Sequence, residues 1–148
     1  MIADFLSPER IFPSLRGGSK EKLLAELSRR AGPLAGLPSV TILQALQARE
    51  KLGSTGLGRG FALPHARIDG LVNMFGLFAR LDAPIDFQAV DEKPVDLVFL
   101  LLIPAAAGNE HVTALAAISR RLRNPVVVAN LRQTKAAAAL YDLLAVDG

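Results

Sequence analysis

The chain has no cysteine, no tryptophan, a single tyrosine and only two histidines in 148 residues. Without cysteine, disulfides, thiolate metal ligands and cysteine nucleophiles are excluded, and the composition fits a reducing compartment. With aromatic residues at 5% of the chain, a platform for stacking nucleobases is not expected. Long hydrophobic runs are missing too: the stretch LVFLLLIPAAA at 97–107 is too short to span a membrane and is interrupted by Pro104. The amino terminus, MIADFLSPERIF, carries Asp4 and Pro8 and no basic segment, so it does not read as a secretory signal. A cytoplasmic location without membrane insertion is expected. Nor does one sign of charge dominate, since 17 basic and 14 acidic residues leave a net charge of +3. One short basic cluster stands out, SRRLRN at 119–124. The apolar stripe Leu115, Ile118 and Leu122 explains that helix as core packing with arginines at its solvated edge. No nucleic acid partner is expected.

What is present is an apolar half and a charged fifth, the balance of a folded globular chain. At this length one domain over 1–148 is expected to bury roughly 70% of the surface its unfolded chain exposes. Ser19 can cap a helix through KEKLLAELSRRA that ends at Gly32-Pro33, and Ser39 can cap a second through VTILQALQAREKL that Gly53 stops. FALPHARI reads as a short strand broken by Pro64, and NMFGLFARL as a strand ending before DAPID. VDLVFLLLIP is a nearly continuous apolar run, the pattern of a strand buried on both faces at the centre of a sheet. Asn109 can cap a helix over EHVTALAAISRRLRN that Pro125 ends. VVVANLRQ is ambiguous between strand and helix, and Thr134 can cap a final alanine-rich helix. The fold class expected is α/β, a mixed sheet flanked by helices on both sides.

The informative stretch is GSTGLGRGFALPHARIDG at 53–70, four glycines in eight positions followed by Pro64-His65. Gly53 and Gly58 have Walker A spacing, yet Arg59 and Gly60 stand where a lysine and a hydroxyl are required, and the loop follows a helix rather than a strand. A dinucleotide fingerprint fails because its third glycine falls on Phe61. His65 is either an ordinary edge histidine or a presented, reactive imidazole, with Pro64 stiffening the backbone that leads into it. His111 lies in the first turn of its helix, where free N–H groups and a partial positive charge favour a nearby anion. Arg49 falls on a helix face shared with Ile42 and Leu46; it either snorkels or turns its planar fork into a cleft beside His65, while Glu50 and Lys51 read as solvated charges. Two histidines without cysteine or an HExxH pattern give no zinc site even with Glu110 beside His111, and Ser54 and Ser119 lack a nucleophile-elbow context.

AREKLGSTGLGRGFALPHAR (48–67), IDFQAVDEKPVDLVFLLLIP (85–104) and HVTALAAISRRLRN (111–124) together resemble the fructose/mannitol (type 2) IIA family of the bacterial phosphotransferase system. The likeness runs from about Asp4 to about Leu144 and is greatest to the nitrogen-regulatory branch. The resemblance implies a phosphotransferase/anion transporter-like α/β fold and a histidine that accepts a phosphoryl group from an HPr-like carrier. Residue by residue it implies His65 as acceptor, His111 as the neighbour that steadies the phosphoryl group, and Arg49 as a phosphoryl contact. It implies no cofactor and no metal. Regulated targets such as a potassium transporter or sensor kinase are expected, with a sugar-transport role that passes phosphate to a IIB component as the alternative. No IIB or membrane domain is expected to be attached. An apolar rim for the carrier including Phe61 and Leu63, and an influence of Arg59 on carrier affinity, complete these expectations.

Overall fold

The computed structural model describes residues 1–146. Two short 3-10 turns precede β1 (Ile11–Leu15); α1 (Lys20–Ala35) and α2 (Ser39–Lys51) follow. The glycine-rich segment holds β2 (Gly56–Gly58), β3 (Phe61–Ala62) and β4 (His65–Ile68). Two long strands, β5 (Phe75–Ile85) and β6 (Val95–Pro104), lead to α3 (Glu110–Arg123), α4 (Pro125–Gln133) and α5 (Ala137–Ala145). The sheet is mixed. Its order is β1-β5-β6-β3-β2, with β4 also on β6; β5 runs antiparallel to β6, and β3 and β4 run parallel to it. The apolar run is therefore the central strand, and Leu97 through Leu102 are wholly buried.

Alternation along the strands divides the core in two. Ala62, Ala66, Ile68, Leu77, Val98, Leu100 and Leu102 pack with Leu23, Leu27, Ile42 and Leu46 of α1 and α2. Phe61, Leu63, Phe78, Leu97, Phe99, Leu101 and Ile103 pack with Ile118, Leu122, Leu131, Leu140 and Leu144 of α3–α5. Helices thus cover both faces. Across Pro64 the partner offset on β6 is unchanged, Phe61 opposite Leu97 and His65 opposite Leu101, so β3 and β4 are one strand interrupted without a slip.

Several element ends differ from expectation. α1 passes through Pro33 to Ala35, because a proline in the last turn forfeits little and Gly36, left-handed at φ 70°, closes the helix by donating to the Gly32 carbonyl. Ser39 is the first residue of α2 rather than its cap; the Pro38 carbonyl receives the Thr41 and Ile42 amides. β5 continues through DAPI to Ile85, held by pairing of Ile85 with Val95 beyond an irregularity. VVVANLRQ is helix, capped by Asn124 Oδ1, which accepts from the Val126 and Val127 amides. Thr134 does not cap α5; its hydroxyl donates to the Asn130 carbonyl at the end of α4. Asn109 stands at the α3 N-cap without a side-chain bond, whereas Ser19 caps α1 by accepting from the Lys22 amide at 3.2 Å.

Candidate functional site

The last turn of α2 sends consecutive side chains to different tasks. Glu50 is not a solvated charge. Its carboxylate pairs with Lys20 Nζ at 2.9 Å and accepts from both the backbone amide and the hydroxyl of Thr55. The two ion-paired side chains are only 9% and 7% exposed, and Lys20 also lies 4.6 Å over the Phe87 ring. Glu50 therefore ties α1, α2 and the start of the glycine loop together. Arg49 faces the other way and donates through Nη1 to the Gly53 carbonyl at 2.9 Å, fixing the turn by which the loop leaves the helix.

Within the loop, glycine is required where the chain packs closely. A Cβ on Gly56 would lie 2.8 Å from the Ala89 Cα, and Gly60, at φ 85°, faces the Arg132 guanidinium. Arg132 forms a two-pronged pair with Asp96 and reaches the Arg59 carbonyl, anchoring the far side of the loop. Arg59 is left-handed at φ 58° and donates its amide to Asp91; its side chain reaches toward the Arg123 carbonyl, away from His65. The chain then enters the sheet. The Leu63 amide donates to the Thr55 carbonyl and the Pro64 carbonyl accepts from Leu101 at 3.0 Å, so the backbone is held on both sides just before His65.

His65 is half-buried, and its Nδ1 lies 2.8 Å from the Leu63 carbonyl. A carbonyl can only accept, so Nδ1 carries the proton and Nε2 keeps its lone pair. Burial is the main influence on this imidazole and holds it below its ordinary range; the Leu63 carbonyl and Glu50 oppose the shift, while Arg49 and His111 add to it. The ring is neutral at pH 7.

His65, Arg49 and His111 line one concavity of about 470 Å³. The first turn of α3 supplies His111, the end of α2 supplies Arg49, and the start of β4 supplies His65. The three residues singled out in the sequence are brought together. A fourth was missed. Arg67, two positions along β4 from His65 and thus on the same side of the strand, reaches His111 Nδ1 at 3.4 Å and lines the same concavity. The only sign of it in the sequence is that spacing. The apolar wall includes Ala45, Ala48, Leu52 and Leu115. Phe61 and Leu63 do not form a rim: they are 1% and 2% exposed, because their positions in the strand point them into the core under α3–α5. The arginines of the basic cluster are partly spent on structure, with Arg121 donating to the Leu143 carbonyl at 2.7 Å. Among the described residues no group of three or more histidines and carboxylates is placed to hold a metal ion, and no helix is long and apolar enough to cross a membrane.

The arrangement thus offers a neutral imidazole with one unprotonated nitrogen in an open, partly apolar concavity beside a guanidinium. Such a set can attack an electrophilic centre and hold the anionic oxygens around it.

Similarity to known proteins places the chain in a family. The chain is 47% identical over 144 residues to a nitrogen regulatory protein of Bradyrhizobium diazoefficiens, covering 97% of this chain and 94% of the relative. Its fold superposes on the crystal structure of the nitrogen regulatory protein IIA-Ntr from Neisseria meningitidis with a TM-score of 0.92 at 34% identity, covering 97% and 98% of the two chains. It also matches the fold of Escherichia coli enzyme IIAMTL, solved in complex with phosphorylated enzyme IIBMTL, with a TM-score of 0.80 at 22% identity over 95% and 96% of the chains. Residues 4–146 match the family model of the phosphoenolpyruvate-dependent sugar phosphotransferase system, EIIA 2, and the chain belongs to that family.

Proposed function

We propose that the protein is a phosphoryl-accepting IIA protein of the cytoplasm whose phosphorylation state regulates other proteins. His65 Nε2 attacks the phosphorus of a phosphohistidine on an HPr-like carrier. The new N–P bond forms at His65, the N–P bond to the carrier breaks, and the carrier imidazole departs with the electron pair. Arg49 and the N–H of His111 receive the phosphoryl oxygens. Such transfer needs alignment and charge stabilisation rather than covalent help from the protein. The observation that carries this reading is the 2.8 Å bond from His65 Nδ1 to the Leu63 carbonyl, which leaves Nε2 as the nucleophile. Neither metal nor nucleotide enters the step.

The regulatory role is supported by the nitrogen regulatory relative at 47% identity. Targets such as a potassium transporter or a sensor kinase belong to this proposal. A sugar-transport role, in which His65 passes its phosphoryl group to a IIB component, is the second reading; it is favoured by the likeness to an enzyme IIAMTL solved with its phosphorylated enzyme IIBMTL.

Incubation with phosphoenolpyruvate, enzyme I and the carrier, read by intact mass, tests the reading. One acid-labile phosphoryl group is expected, absent in His65→Ala and short-lived in His111→Ala. No gain of mass with an active carrier overturns phosphotransfer. Discharge onto an added IIB domain separates transport from regulation.

A further inference from the structure

Two arginines line the concavity, and their bonding differs. Arg49 uses one N–H on the Gly53 carbonyl. Arg67 is committed almost completely: Nη1 donates to the Ala105 and Ala107 carbonyls at 3.3 and 2.9 Å, and Nη2 to the Gly108 carbonyl at 3.2 Å and to His111 Nδ1 at 3.4 Å. These four contacts bind one side chain to the segment that joins β6 to α3 and to the imidazole that opens that helix. A guanidinium only donates, so the His111 Nδ1 it meets must be the unprotonated nitrogen. The proton of a neutral His111 then sits on Nε2.

The geometry points to Arg67 as a positioning residue that fixes His111 with Nδ1 as acceptor and Nε2–H as donor, while holding the turn that carries it. The two histidines are thereby set in opposite tautomers. At His65 a carbonyl takes the Nδ1 proton and frees Nε2 to attack; at His111 a guanidinium occupies the Nδ1 lone pair and leaves Nε2–H to donate. Each ring is given its role by the partner of its other nitrogen, as in the outer shells that orient metal-bound histidines. Arg67 itself does not contact the phosphoryl group, because turning its fork inward would release Ala107, Gly108 and His111 together. The inference rests on the phosphotransfer reading only for its kinetic consequence, not for the tautomer.

The test compares wild type, Arg67→Met, Arg67→Lys, His111→Ala and the double variant Arg67→Met/His111→Ala, all as the full chain. Arg67 is exposed at the end of a strand, so the fold is expected to survive its replacement. Nitrogen NMR of the histidine rings reads the first arm without any carrier. Wild-type His111 is expected to show an unprotonated, hydrogen-bonded Nδ1, and Arg67→Met to move that resonance toward the position of a free acceptor nitrogen while His65 is unchanged. A protonated His111 Nδ1 in wild type, or a resonance indifferent to Arg67→Met, overturns the inference. The second arm is the rate of His65 phosphorylation at saturating carrier. Arg67→Met is expected to slow it by about tenfold, the scale of a lost alignment rather than a lost nucleophile, with Arg67→Lys recovering part of the rate. In the His111→Ala background Arg67→Met should add nothing. Multiplying losses would instead make Arg67 a direct phosphoryl contact and overturn the positioning role. If wild type takes up no phosphoryl group at all, the proposed function fails while the NMR arm still decides the tautomer.

Discussion

At His65, half-burial outweighs the carbonyl on Nδ1, and the outcome is a ring whose neutral form is favoured. The sign has a direct consequence. A histidine whose folded-state value is depressed binds fewer protons folded than unfolded, so acid favours unfolding. Its contribution to stability is complete above the unfolded value of about 6.5 and is lost as pH falls through the lower folded value. Ring-proton NMR is expected to give His65 a midpoint below that of an exposed histidine, and His65→Gln is expected to flatten the fall in melting temperature on acidification below about pH 6.5. A normal midpoint would mean that burial does not govern this imidazole. The same downward shift favours the form in which Nε2 is free to attack.

At the scale of elements, the Glu50 network decides whether the glycine loop has a fixed starting point. Removing one member of a buried ion pair leaves the other charge unpaired, so Glu50→Gln is expected to cost about 3 kcal/mol in urea unfolding. The double variant Lys20→Met/Glu50→Gln should recover much of that loss. Phe61 belongs to the same scale, since its ring is core and not surface. Phe61→Ala is expected to destabilise by about 3–5 kcal/mol, read by the same unfolding experiment, and a charged residue there to disrupt folding. These two sites show how much was legible. Helix spacing, the central apolar run and the Pro-His exit pointed to α1–α3, β6 and the candidates Arg49, His65 and His111, which share one concavity. Local signals could not reveal that Glu50 meets Lys20 thirty positions earlier, since pairing at that separation is set by how α1 packs on α2. The fate of VVVANLRQ was hidden for a similar reason. Its β-branched residues favour strand, but the Asn124 cap and packing of Val127 and Leu131 under the sheet make it helix. Arg67 was overlooked because arginine on a strand edge has no signature without its partner.

For the whole molecule, the accessible side of the site matters because the proposed donor is another protein. Leu52, at the lip of the concavity, is 84% exposed, while the strand residues beneath are sealed in the core. An exposed apolar side chain in this position fits brief docking of a carrier. Leu52→Asp is expected to raise the KM for the phosphorylated carrier several-fold with little change in kcat or melting temperature, measured by phosphoryl transfer at varied carrier concentration. Unchanged KM would place the docking surface elsewhere.

The uninterrupted offset of β3 and β4 along β6 makes chain length a hidden condition of reactivity. Strand positions alternate between the two faces, so one residue inserted between Leu63 and His65 would move His65 into the slot of Ala66. The imidazole would be driven beneath α1 and α2, and Arg67 would lose His111 in the same movement. Gain or loss of a residue within 61–68 is therefore not tolerated. In that short interval the spacing of the chain, as much as the identity of its side chains, encodes the chemistry.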